Sequence, residues 1–142
     1  MIFMRSYLRP LLPLFVALAA AYWALLFVLT HLPSVTLPDI TLIDKVCHAL
    51  AYATLAFAIG SVLTIWRGYQ ARLPIWIWTL AVSYGAIDEY TQQFVQNRSC
   101  DILDLLADAT GATLGLAALH IGVMLARRQR SEPALVKLPV EV

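Results

Sequence analysis

The polar positions of this chain are gathered into a few short stretches, and the long apolar runs between them predict its architecture. Leu11 to Thr30 is a run of 20 residues without formal charge, and Val46 to Trp66 is a second run of 21. At about 1.5 Å of rise per residue each covers roughly the 30 Å hydrocarbon core of a bilayer, so both predict transmembrane helices. Leu73 opens a third run that meets Asp88 after only 15 residues. That is about 22 Å of helix, too short to span, so this helix is expected to continue to about Val95. A fourth helix is expected from about Asp101 to Ala126. His31 to Ile43 reads as a loop broken by Pro33 and Pro38, and Gln96 to Cys100 as a tight polar loop. In the turn at Arg67 to Arg72, Gly68 suits a helix C-cap. Residues 1–10 precede the first helix, and the basic, proline-interrupted tail from Arg127 to Val142 is expected to be disordered and solvated.

Short connections between four such runs predict an all-α polytopic membrane protein, a four-transmembrane-helix antiparallel bundle. Composition agrees: 61% of the residues are hydrophobic and 13% charged, with a mean hydropathy of +0.74, more apolar than a soluble domain of this length requires. A net charge of +1 leaves no basic patch for nucleic acid, which is excluded as a partner; the lipid bilayer is the partner the pattern demands. Trp23, Trp66, Trp76 and Trp78 read as interface anchors or lipid-facing surface. The first run has a rival reading as a secretory signal peptide, but its apolar stretch continues through Tyr22 to Leu29 where a cleaved peptide turns polar.

Orientation follows from the placement of cations. Arg5, Arg9, Arg67, Arg72, Arg127, Arg128, Arg130 and Lys137 fall on one side of the four-helix arrangement, and only Lys45 and Arg98 on the other. By the positive-inside rule both termini are cytoplasmic, in the inner membrane of a bacterium. The opposite, outward side carries Asp39, Asp44, Asp88, Glu89, Asp101, Asp104 and Asp108.

These outward acidic residues are the candidate chemistry, because ionisable groups at bilayer depth are costly and by default mark function. Helical spacing places Asp44, His48 and Tyr52 on one stripe, with Lys45 beside them, and pairs Asp88 with Gln92. Asp101, Asp104, Asp108, Gly111 and Gly115 form one continuous face, whose glycines let another helix approach closely. Asp44, Asp101 and Asp104 stand at expected helix N-termini, where capping explains them as well as function does. Asp88 and Glu89 stand near a helix C-terminus, where the dipole disfavours them. His48 serves either as an interhelical hydrogen-bonding group or as a ligand or proton carrier, and Tyr52 either packs or belongs to the site. Arg98 either holds a phosphate or carboxylate of a ligand or pairs with Asp101 or Asp104.

Six of the carboxylates (Asp44, Asp88, Glu89, Asp101, Asp104, Asp108) against Lys45 and Arg98 leave −4 if all ionise. Low-dielectric surroundings do not hold that unpaired, so some are protonated, reach solvent, or meet a cation. No cofactor motif is evident; oxygen ligands with one His suit a divalent metal, although no recognised metal spacing occurs. There is no serine nucleophile elbow, no phosphate-binding glycine loop and no HExxH. Cys47 and Cys100 lie on the outward side, either as a disulfide or as two small apolar residues.

The segments DKVCHALAY at 44 to 52, DEYTQQF at 88 to 94 and RSCDILDLLADATGATLG at 98 to 115, in this order within four apolar runs, resemble the VanZ-like family of small bacterial membrane proteins. The family pattern falls on Asp44, Lys45, His48, Tyr52, Asp88, Glu89, Gln92, Phe94, Arg98, Asp104, Gly111 and Gly115. Asp108 departs from it, standing where many members have Asn. The family's named member is linked to low-level teicoplanin resistance, so the resemblance implies a role at the cell envelope.

Three classes of function follow. In the first, an outward pocket formed by Asp44, Lys45, Tyr52, Gln92, Arg98, Asp101 and Asp104 binds a lipid-linked cell-wall precursor or a glycopeptide. In the second, an intramembrane enzyme uses Asp88, Glu89, His48 and Asp108 for acid–base or metal chemistry. A proton or ion pathway is the weakest, on the ground that no ionisable residue is found in the cytoplasmic half of helices two to four, which leaves no relay.

Overall fold

The computed structural model describes residues 7–33 and 41–131, with side chains from 42 to 129 in the second segment. The expectations for Arg5, Pro38, Asp39, Lys137 and the tail beyond 131 lie outside the described residues. A single 3-10 turn, Arg9–Leu11, leads into α1, Leu12–Thr30. Three more helices follow: α2, Thr41–Arg67; α3, Leu73–Gln92; and α4, Ile102–Ser131. Proline stands in the first positions of α1 and α3, where its missing N–H is not needed and its fixed φ favours helix entry.

Three of these helices, α1, α2 and α4, contain stretches long and apolar enough to cross a membrane. α3, with 20 residues and about 30 Å, is as long as α1, but its last turns carry Asp88, Glu89 and Gln92. The outer surface is inverted relative to a soluble protein: Trp76 is 70% exposed and Ile75, Ile87, Leu114 and Ile121 are also exposed. Lipid-facing side chains account for this; water-facing ones would be an aggregation liability. With these apolar helices, the chain is a helical-bundle membrane protein.

Consecutive helices run antiparallel, so α2 and α4 run parallel, Gly111 meeting Ala49 and Gly115 meeting Ala53, around a core drawn mainly from α2, α3 and α4. Tyr52, Leu55 and Ala56 of α2 meet Ile77 and Ala81 of α3 and Ala112, Leu116, Leu119 and Val123 of α4. α1 lies on the outside of this trio, with Leu26 as its one buried residue and the Tyr22 hydroxyl donating to the Ala51 carbonyl at 3.0 Å. The closest approach joins α2 and α4. A Cβ on Gly111 would overlap the Ala49 carbonyl, and one on Gly115 the Ala53 carbonyl, so the expected close packing on these glycines is realised against an alanine pair of the same spacing.

The expected helix ends shift in three places. α2 begins at 41 and not at 46, taking Asp44 and Lys45 into its first turns; no proline opposes this, and Asp44 suits the N-terminal dipole. α3 stops at 92, because Gln93 to Asn97 turns tightly and Asn97 takes a left-handed φ of 61°. α4 extends to 131 and not 126. Arg127 lies over the Tyr69 ring at 5.8 Å, and basic groups suit a helix C-terminus, so residues 127–131 are ordered helix and not disordered tail. Gly68, as expected, ends α2 with a left-handed φ of 85° and its N–H bonded to Thr64 O at 2.9 Å. The tryptophans divide: Trp66 and Trp76 face outward, whereas Trp23 packs edge-on against Tyr84 and Trp78 donates to Thr113 Oγ1 at 3.0 Å.

Candidate functional site

The faces of α3 and α4 that bury apolar residues in one half of the bundle bury carboxylates in the other. On α3 the buried positions run Ile77, Ala81, Gly85, Asp88, Glu89, Gln92, a helical stripe that turns polar at Asp88. On α4 the stripe through Leu116, Ala112 and Gly111 continues into Asp108 and Asp104. Opposite them, α2 presents Tyr52, His48, Lys45 and Asp44. Of these site residues, Asp88, Glu89, Gln92, Asp104, Asp108, His48 and Tyr52 are all buried.

Three groups of contacts divide this polar region. The first surrounds Lys45, whose ammonium donates to Asp101 Oδ2 at 2.6 Å and Asp104 Oδ1 at 2.5 Å. Asp101 also accepts the Leu103 N–H at 2.8 Å, so it caps α4 and pairs with Lys45 at once. The Lys45 ammonium beside Asp101, and then the Leu103 N–H, hold this carboxyl below its ordinary range.

The second group is built on α3 and ties the helix ends together. Asp88 accepts from Thr30 Oγ1 at 3.0 Å and from Gln92 Nε2 at 2.9 Å. Glu89 accepts from Gln92 Nε2 at 3.2 Å and from the Asp101 N–H at 3.0 Å. All four oxygens therefore have donors from the protein itself. The Arg98 guanidinium donates to Leu29 O, Leu32 O and Gln92 Oε1; it pairs with neither Asp101 nor Asp104, correcting that expectation. It finds the unsatisfied carbonyls at the C-terminus of α1, where the dipole favours a cation.

The third group is His48 with Asp108. His48 Nδ1 lies 2.9 Å from Asp108 Oδ1, so the added charge of Asp108 has an imidazole as its partner. Asp108 Oδ2 is buried with no partner, and so is the Tyr52 hydroxyl. Both close around Gly85: a Cβ there would lie 2.8 Å from Asp108 Oδ2 and 3.3 Å from the Tyr52 ring. The groups share neighbours, because donor atoms of His48, Glu89 and Asp108 lie within 4.8 Å of one another, as do those of Asp44, His48 and Asp104.

A cavity of about 430 Å³ opens between α1 and α2 onto this region. Leu25, Leu26, Leu29, Leu50 and Ala51 form its apolar wall; Tyr22, Thr30, Asp44, His48, Tyr52 and Arg98 supply polar atoms. His48 lines this cavity while its Nδ1 is held by Asp108, and no hydrogen bond engages its Nε2 among the described residues.

Sequence reasoning missed Thr30, His31 and Thr91. His31 stacks on Phe27, reaches Thr91 Oγ1 at 3.0 Å through Nε2, and sets Nδ1 3.7 Å from Asp88. Its position directly after an apolar run was the available signal. Cys47 and Cys100 are free and exposed, neither a disulfide nor buried apolar residues; α2 turns another face inward, and Cys100 lies in the loop before α4. Between Asp108 and Arg127, α4 does carry one ionisable group, His120, bonded to Tyr69 at 2.7 Å. It lies about 18 Å of helix from Asp108, so it forms no relay with it.

No curated protein and no solved structure matches the chain. A family profile, described as VanZ/LLP1, matches residues 8–124. That match covers α1 to α3 and most of α4, including every residue of the three polar groups, and the chain belongs to the VanZ/LLP1 family.

Proposed function

We propose that this is a multi-pass protein of the bacterial inner membrane, with four spans and both termini cytoplasmic, whose outward polar pocket binds the headgroup of an envelope lipid or lipid-linked cell-wall precursor. The observation that carries this reading is the cavity between α1 and α2. Its leucine wall suits an acyl or polyprenyl chain, and its polar side brings His48, Asp44 and Arg98 to where a headgroup would sit. A lipid would enter sideways between α1 and α2, where the Tyr22 hydroxyl crosses the seam, while the C-terminal end of α1 stays anchored through Thr30 to Asp88 and Leu29 O to Arg98. The eight-to-two bias of cations supports the orientation, and α3 spans with its carboxylate turns covered by α1, α2 and α4. A link to glycopeptide resistance fits this role, since occupying or masking an envelope precursor alters what such an antibiotic reaches.

The test fills the cavity without touching its polar groups. Leu50 lines the cavity and is exposed, so Leu50→Trp blocks the chain-binding wall. Native mass spectrometry of the wild-type protein released from nanodiscs should show a retained lipid that Leu50→Trp lacks. Equal retention by both would dismiss the cavity as the binding site.

An enzymatic reading rests on a separate observation. A carboxylate orienting an imidazole whose other nitrogen is unpaired is the arrangement a general base requires. Turnover of a bound lipid, lost in His48→Gln while lipid is still retained, would establish it.

A further inference from the structure

We propose that His48, Glu89 and Asp108 form a binding site for one divalent transition-metal ion, zinc or manganese. Three observations meet here. Donor atoms from all three residues, on three different helices, lie within 4.8 Å of one another, and all three are buried. Asp108 is 1% exposed, yet its Oδ2 has no hydrogen-bond partner, and an anionic oxygen left so is costly. The nearby cations are engaged elsewhere: Lys45 bridges Asp101 and Asp104, and Arg98 donates to carbonyl and amide oxygens and, among the described residues, to no carboxylate.

The donor geometry suits an ion. Ligand atoms about 2.0–2.1 Å from zinc lie roughly 3 Å apart, and His48 Nδ1 is 2.9 Å from Asp108 Oδ1. That separation serves as a hydrogen bond without metal and as two adjacent ligands with it. Glu89 already receives Gln92 Nε2 and the Asp101 N–H, the outer hydrogen bonds that orient a ligating carboxylate. One imidazole with two carboxylates is a borderline donor set, and three protein ligands leave a position open for a ligand from the cavity. Gly85 is required by the same arrangement, since a side chain there would occupy the space of Asp108 Oδ2.

The role of the ion rests on the reading of this pocket as a headgroup site. A phosphate-bearing headgroup approaching Asp44, Glu89, Asp104 and Asp108 meets repulsion, whereas an ion in their midst supplies the opposite charge. The metal thus turns an acidic pocket into one that takes an anionic lipid.

The full chain, purified in detergent without chelator and with a tag that binds no metal, is measured by inductively coupled plasma mass spectrometry. Near one zinc or manganese per chain is expected, removable by EDTA and restored by Zn²⁺ or Mn²⁺ alone. Restoration should raise the thermal midpoint of the wild type and leave Asp108→Asn and His48→Gln unmoved. His120→Gln, which alters the bond to Tyr69 at the far end of α4, should bind metal as the wild type does. Wild-type protein that carries neither metal above trace levels and shows no shift on Zn²⁺ or Mn²⁺ addition overturns the proposal, as does equal loading of Asp108→Asn. Lipid retention is scored in the same samples: metal without lipid defeats the headgroup reading alone, and lipid that stays after EDTA without any bound metal defeats the ion alone.

Discussion

Replacing Gly111 by Ala adds one methyl group where α2 and α4 come closest. The new Cβ falls within contact distance of the Ala49 carbonyl, whose backbone atoms cannot rotate aside, so the helices must separate. Overpacking of this kind costs about 1–3 kcal/mol. Against it stands the preference of helices for Ala over Gly, about 1 kcal/mol. Gly122 provides the control on the same helix, with nothing within 4 Å of its added Cβ. Because the propensity gain is common to both substitutions, their difference isolates the packing cost. Gly111→Ala should therefore be about 1–3 kcal/mol less stable than Gly122→Ala. Reversible unfolding in mixed micelles at increasing SDS fraction, followed by circular dichroism, measures it. The displaced helix would also draw Asp108, three residues away, off His48, so metal or lipid retention should fall in Gly111→Ala only. Equal unfolding curves for the two variants would refute the close approach of α2 and α4 on which the site geometry depends.

Lys45→Met should destabilise by up to about 3 kcal/mol, the low end for breaking a buried ion pair because the Lys45 side chain keeps 21% of its exposure; adding Asp104→Asn should recover much of that loss in the same unfolding assay. The folded-state pKa of Asp101 lies below its unfolded value, so its contribution is present above the unfolded value and disappears as pH falls through the folded one. Asp101→Asn should accordingly flatten the acid limb of a stability–pH profile and leave the neutral region parallel to wild type. Tyr22→Phe removes the hydroxyl bond to Ala51 and should cost about 0.5–1.5 kcal/mol, with wider spin-label distances between α1 and α2 by double electron–electron resonance. Cys47 and Cys100 are exposed and free, and in the proposed orientation a membrane-impermeant maleimide should label Cys100 in intact cells; labelling only after permeabilisation would reverse the topology.

The helices and their inward faces were legible in the sequence because period and length act locally. Leu11 to Thr30, Val46 to Trp66 and the glycine-bearing face of the last helix could be read without knowing any neighbour. Gly111 and Gly115 even announced a close contact, though not that Ala49 and Ala53 would meet them. Partnerships were not legible, since helical spacing assigns a residue to a face but does not say which helix that face meets. Hence Asp108 showed an unassigned charge until His48 was found against it, and of the two roles open to Arg98, a ligand anion or a pairing with Asp101 or Asp104, the second gave way to the carbonyls at the end of α1. Asp88 and Glu89 also hold the fold together. Their oxygens are occupied by Thr30, Gln92 and the Asp101 N–H, so neutralising either loosens helix ends as well as the site, whereas His48 and Asp108 retain atoms without protein partners. His31 escaped notice because an isolated histidine at a helix end carries no periodic signal.

The central claim is that the polar region around His48 receives a lipid headgroup through the cavity beside α1. Its most direct test compares His48→Gln with His120→Gln, the same substitution at the far end of α4, each reconstituted in nanodiscs and matched to wild type for thermal stability, with retained lipid quantified by native mass spectrometry. Retention should fall at least about tenfold in His48→Gln, corresponding to about 1.4 kcal/mol of lost binding, and remain at the wild-type level in His120→Gln. Full retention by a well-folded His48→Gln would contradict the account.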